Sequence, residues 1–177
     1  MTTAAEDRTL VLMRHATAEP ASPGQDDRER SLTDSGRAEA REIGGWLFDE
    51  GIGFDEVLCS PAQRTRETMA ELAEGGCAEA EVEIEHRLYN ASAEQIMDVI
   101  HEASDDASVV LVVGHAPGLP AVASLLADGD GSVPAHELLA QGFPPGAVAV
   151  LRYSGSWADL TFDAATLDRF HVPQRTA

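Results

Sequence analysis

Thr9–Met13 (TLVLM) is a short apolar run of strand-forming residues that leads directly into Arg14 and His15. Glu56–Cys59 (EVLC) predicts a second strand and the alternating Glu81–Ile84 a third. The continuous run Ser108–Val113 (SVVLVV) predicts a central strand covered on both faces. Between these runs the apolar spacing becomes helical. Ala40, Ile43 and Leu47 share one face of a helix that Thr33 can cap and Gly51–Gly53 closes. Ser60-Pro61 predicts the start of a second helix, with Arg64 in its first turn, Thr65, Met69 and Leu72 facing the core, and Gly75-Gly76 at its end. Ser92–His101 turns Ile96, Val99 and Ile100 inward, and Leu119, Val122 and Leu126 form the stripe of a helix after Gly114-His115-Ala116-Pro117. Ala147–Tyr153 and Asp159–Phe162, around Ser154-Gly155, predict an antiparallel hairpin at the sheet edge.

Strands and helices that alternate at these lengths predict a three-layer α/β/α sandwich with a mostly parallel central sheet, whose ligand site lies beyond the carboxyl ends of the strands. The length fits a single domain over 1–177, with 1–8 as a flexible N-terminal segment. Residues 16–31 carry Pro20, Pro23 and Gly24 among charges and read as a loop. There are no repeats or low-complexity tracts.

Composition narrows the chemistry. The formal charge of -19 argues against nucleic acid and anionic membrane surfaces as partners, since both bind through clustered cations. All 12 basic residues are Arg, so an anion site here must use guanidinium, and neither Schiff-base chemistry nor a P-loop lysine is available. Two cysteines are too few for a disulfide framework, no Cys/His spacing suggests zinc, and no apolar run is long enough to span a membrane. A cytoplasmic protein with no metal and no cofactor is expected.

Three strand ends then carry the chemistry: Arg14-His15, Ser60–Arg64 and Gly114-His115. A lone histidine is ordinarily structural and an Arg in a first helical turn is ordinarily a surface ion-pair partner. Two of each converging on one crevice are different, because buried guanidiniums need a counter-anion that a phosphoryl group would supply.

Leu12-Met13-Arg14-His15-Ala16 resembles the Arg-His-Gly signature of the histidine phosphatase superfamily, with Ala16 in place of the usual Gly. Arg30-Ser31-Leu32-Thr33 with Gly36 resembles a segment of its SixA branch. Ser60-Pro61-Ala62-Gln63-Arg64 with Thr68, and Val113–Gly118, complete the match in the family's order. The resemblance implies a phosphoglycerate mutase-like fold and a phosphohistidine intermediate on His15. It also implies Arg14, Arg64 and His115 around the phosphoryl oxygens, with Ala16 and Glu19 as further substrate contacts. The mutase-like members place a Glu after the third strand, where Asn90 stands here, and an amide cannot act as a general acid. Its absence favours P–N substrates, whose imidazole leaves without such help. Glu19, Asp26 and Asp27 are the carboxyls that could substitute.

The substrate is thus expected to be a phosphorylated protein carrying phosphohistidine, or a small phosphorylated molecule, with the rim drawn from 18–27 and 129–145. An ester phosphatase would share the same four residues, and a non-catalytic phospho-ligand module would share all but turnover. Cys59 followed by Arg64 has the wrong spacing for a cysteine phosphatase loop and reads as core. Arg66, His86, His101, His136 and His171 read as surface or structural residues, and Arg30 as a brace pairing with a loop carboxylate.

Overall fold

The computed structural model describes residues 6–77 and 80–174. Its strands follow the apolar runs: β1 (Asp7–Arg14), β2 (Glu56–Cys59), β3 (Val82–Ile84), β4 (Val109–Gly114), β5 (Val148–Ser154) and β6 (Thr166–His171). They form one sheet in the order β3-β2-β4-β1-β5-β6. The first four pair in parallel, β5 runs antiparallel to β1, and β6 antiparallel to β5.

Alternation along the strands builds two cores. Val11, Met13, Leu111 and Val113 face one side, where Ile43 and Leu47 of α1 (Asp34–Asp49) and Leu72 of α2 (Gln63–Glu74) cover them. Leu10, Leu12, Val110 and Val112 face the other, against Ile96 and Ile100 of α3 (Ala93–His101) and Leu119, Val122 and Leu126 of α4 (Gly118–Ala127). A further helix, α5 (Val133–Ala140), packs near β6. The result is the three-layer, mostly parallel sandwich that the sequence predicts. Each buried Leu or Val stabilises by roughly 1.5–3 kcal/mol, whereas an exposed, solvent-screened pair such as Arg28–Asp26 adds little. Apolar spacing therefore governs the element positions. Caps then trim the ends: the Thr33 hydroxyl accepts from Gly36 N–H at 2.9 Å, and Ser92 with Gln95 forms a reciprocal capping box.

Four local expectations change. Ser60 does not cap α2, which begins at Gln63 after Ala62; the Ser60 hydroxyl is drawn into the site described below. The partner of β5 is Thr166–His171. Asp159 instead lies in a 3-10 turn, Trp157–Asp159, because the Trp157 indole is drawn into the core and donates to the Ala107 carbonyl at 2.7 Å. The third strand is exposed throughout and sits at the sheet edge, so its alternation does not mark a buried face. Of the segment 1–8 expected to be flexible, Asp7 and Arg8 belong to β1. Arg8 is buried, donating to the carbonyls of Ala107 and Gly155. Residues 1–5 lie outside the described residues.

The two helices on the Met13 face of the sheet, α1 and α2, approach at backbone contact. A Cβ at Gly44 would lie 2.2 Å from the Leu72 carbonyl oxygen, while one at Gly45 would meet its nearest neighbour at 3.4 Å. Gly44→Ala is therefore expected to cost about 1–3 kcal/mol by overpacking. Gly45→Ala is expected to be neutral or stabilising by up to about 1 kcal/mol through helix propensity. Urea unfolding of the two variants checks this, and equal effects would contradict the close approach.

Candidate active site

Strand register assembles the site. Arg14 pairs with Gly114 across β1 and β4, and Cys59 with Val113 across β2 and β4. The residues that directly follow the three strands are His15, Ser60 and His115. His15 N–H donates to the Gly114 carbonyl at 3.1 Å, and the rings of His15 and His115 lie 5.3 Å apart. The Ser60 hydroxyl hydrogen-bonds His115 Nε2 at 2.7 Å. Arg64 stands in the first turn of α2, and Arg14 Nη1 donates to the Phe143 carbonyl at 3.0 Å, which brings the segment after α5 to the site.

The tautomer of His15 follows from one contact. His15 Nδ1 lies 2.7 Å from the Ala16 carbonyl oxygen, which can only accept. Nδ1 therefore carries the ring proton, leaving a lone pair on Nε2. Burial pushes the His15 pKa down to about 4; the Ala16 hydrogen bond opposes this, and Arg64, Arg14 and Arg30 add to it. Burial, then Arg64, pushes His115 down to about 3. Its Nδ1 is buried and meets no partner among the described residues.

The loop after His15 is braced from behind. Ala16, buried, donates its N–H to Thr68 Oγ1 at 3.1 Å, and Thr68 in turn donates to the Arg64 carbonyl. The buried Glu39 carboxylate accepts from both the N–H and the hydroxyl of Thr17. The main-chain groups of Ala16 are thus engaged in holding His15. Glu19 is exposed, and what ties it to the loop is its main chain, whose carbonyl accepts from Arg30 Nε at 2.7 Å.

Among the three loop carboxyls, Asp27 reaches the site. It accepts from Arg64 Nη2 at 3.1 Å, from Arg30 Nη1 at 3.0 Å and from the Tyr89 hydroxyl. These donors, Tyr89 first, hold its carboxyl well below the usual carboxylate range, so in this arrangement it has no proton to give. Asp26 is paired with the exposed Arg28. Asn90 takes a left-handed turn conformation after Tyr89.

Cys59 is buried in the core, and burial pushes its thiol up to about 12, which leaves no thiolate at neutral pH. His101 and His136 bond carbonyls elsewhere, and His171 stacks on Trp46. Arg66 and His86 are exposed. Sequence reasoning did not single out the contacts of Ser60, Tyr89, Phe143 and Glu39. Ser60 carried a signal in its place directly after a strand, level with both histidines. An apolar hollow of about 420 Å³, lined by Met69, Leu72, Cys77, Val82 and Ile84, holds none of the predicted residues. Among the described residues no cluster of three His, Cys, Asp or Glu could hold a metal, and no helix is long and apolar enough to cross a membrane.

Residues 10–95 match the model of the histidine phosphatase superfamily, branch 1. An uncharacterised protein of Mycobacterium tuberculosis is 38% identical over 164 residues, covering 92% of this chain and 100% of the relative. A structure from Nakamurella multipartitia, named as a candidate phosphohistidine phosphatase SixA, superposes with a TM-score of 0.84 at 38% identity over 97% of this chain and 99% of that one. A second, from Agrobacterium tumefaciens and named likewise, gives 0.77 at 29% identity over 94% and 99%.

In an NMR titration, His15 is expected to take up its proton near pH 4 and His115 near pH 3. Both values lie below the 6.5 of an unperturbed imidazole, so the unfolded chain binds more protons in this range. Stability contributed by the two rings is therefore full above pH 6.5 and is lost as pH falls toward 4. A midpoint near 6.5 for either ring would contradict the buried, neutral pair.

Proposed function

The chain belongs to the histidine phosphatase superfamily and is a phosphatase; on that premise we propose that it removes phosphate from phosphohistidine in proteins, with His15 as nucleophile. The observation that carries the proposal is the lone pair that the Ala16 contact leaves on His15 Nε2, in a ring that meets His115 and lies within electrostatic reach of Arg64 and Arg14, while Asp27, the loop carboxyl that reaches the site, is held ionised.

In the first step Nε2 attacks phosphorus in line and the bond from phosphorus to the departing imidazole breaks. That imidazole, already protonated on its phosphorylated ring, leaves as a neutral molecule. Arg14 and Arg64 hold the equatorial oxygens, and a proton on His115 Nδ1 gives them a third donor when the Ser60 hydroxyl donates to Nε2. In the second step water attacks phosphorus, the N–P bond breaks, and phosphate leaves with the Nε2 lone pair restored. The proton on Nδ1 stays with the Ala16 carbonyl throughout, so the ring is returned in the tautomer that attacks.

Alkoxide leaving groups are disfavoured by the same chemistry. They need a proton, and the position where the resemblance places a Glu holds an amide, Asn90, while the loop carboxyl that reaches Arg64, Asp27, is held in its ionised form. The test incubates the protein with a phosphohistidine-containing domain, with a small phosphorylated imidazole, and with a panel of phosphate esters. Esters are expected to turn over more slowly by about 10²-fold or more, the usual worth of a general acid. Faster ester hydrolysis would overturn the P–N preference in favour of a small-ester phosphatase. Anion binding without turnover of any substrate would leave a binding module. His15→Ala is expected to lower turnover by at least about 10³-fold and to abolish acid-labile labelling of the protein, and His115→Ala to slow both steps. Labelling retained in His15→Ala would move the nucleophile elsewhere.

A further inference from the structure

Arg64 is held at one end and unpartnered at Nε. Its Nη1 donates to the main-chain carbonyl of Asp27 at 2.9 Å and its Nη2 to the carboxylate of the same residue at 3.1 Å. Its Nε is buried and meets no acceptor among the described residues, although the side chain is only 7% exposed. A guanidinium presents two edges of paired N–H donors; here both Nη atoms meet Asp27, while Nε–H is left without an acceptor among the described residues.

Asp27 is itself fixed. It lies in a short 3-10 turn, Asp27–Glu29, whose entry is capped by the Asp26 carboxylate. Arg30 donates to its Oδ1, while the Tyr89 hydroxyl shares Oδ2 with Arg64. The Tyr89 ring meets His115 edge-on, with centroids 5.6 Å apart and planes at 87°. One carboxylate thus touches Arg64 directly and reaches His115 through a single aromatic ring. These are two of the three donors assigned above to the phosphoryl oxygens.

Resting on the phosphatase reading above, we infer that Asp27 is a positioning residue: it grips the Nη1/Nη2 edge of Arg64 so that the Nε edge is presented, already oriented, to the phosphoryl group. The physical need is twofold. A long Arg side chain has many rotamers, and one fixed from behind gives up little freedom when the anion arrives. A nearly buried guanidinium also needs a counter-charge before substrate binds, and Asp27 supplies it without occupying the donors that the substrate uses. The site thereby tolerates burial when empty, and phosphate adds to the Asp27 contact rather than replacing it.

The experiment measures equilibrium binding of vanadate and of inorganic phosphate to the wild type, Asp27→Ala, Asp27→Asn, Arg64→Ala and the Asp27→Ala/Arg64→Ala double variant, with melting temperatures recorded for each. Asp27→Ala is expected to weaken vanadate binding on the order of 100-fold, with a smaller loss for Asp27→Asn, which keeps the main-chain contact and one acceptor. On the Arg64→Ala background Asp27→Ala is expected to cost nothing further, because Asp27 acts through Arg64. A residue that merely held the loop together would weaken binding equally on both backgrounds, and that result would overturn the inference. So would unchanged binding in both Asp27 variants, or tighter binding, which would make Asp27 a competitor for Arg64. Should Asp27→Ala fail to fold, Asp27→Asn replaces it throughout the cycle. Anion binding needs no turnover, so failure of every substrate would sink the phosphatase reading while leaving the role of Asp27 decided by these constants.

Discussion

Across β1 and β4, the pairing of Arg14 with Gly114 sets His15 and His115 side by side, because each histidine is the first residue past its strand and neither has slack to wander. Parallel strands in register end at the same level, and β2 delivers Ser60 to that level as well. The strands are fixed by complete burial of Leu10–Met13 and Val110–Val113, so the separation of the two rings inherits the rigidity of the sheet centre. A slip of one residue in this register would turn both apolar faces inside out as well as part the histidines.

The same burial sets the electrostatics. Two imidazoles taken out of water beside guanidiniums stay neutral at physiological pH. Guanidiniums cannot escape in this way, since they do not lose their proton. The protein therefore gives each a fixed acceptor: the Phe143 carbonyl for Arg14, and the carbonyl and carboxylate of Asp27 for Arg64. An acidic chain of formal charge -19 keeps this cationic pocket as a local exception to its surface. Anion recognition then depends on short-range donors more than on long-range attraction.

Most of the fold could be read from the chain because apolar periodicity and burial coincide in β1, β2, β4 and helices α1 to α4. The second edge strand could not. Thr166–His171 mixes Arg, Asp and His with Leu167 and Phe170, as an edge facing solvent allows, while the apolar-looking Trp157–Leu160 stretch spends its indole on a core contact as a 3-10 turn. At the site, the four residues named from motif and strand ends come together. Their supports were hidden because they come from distant parts of the chain: Ser60 reads locally as a helix cap, and Tyr89 is separated from Asp27 by 62 positions. Glu39 looks like any solvated helix carboxylate until Thr17 folds onto it. Such contacts depend on which loops the sheet brings together, and no local pattern encodes that.

If Arg14, His15, Arg64 and His115 surround one phosphorus-sized centre, with His15 Nε2 as the atom that bonds to it, a crystal structure of the vanadate complex will show it. Vanadium is expected bonded to Nε2 of His15, its equatorial oxygens meeting the two guanidiniums and Nδ1 of His115, and the Asp27–Arg64 contact intact. Vanadate bound through any other atom, or seated away from these four side chains, would contradict it.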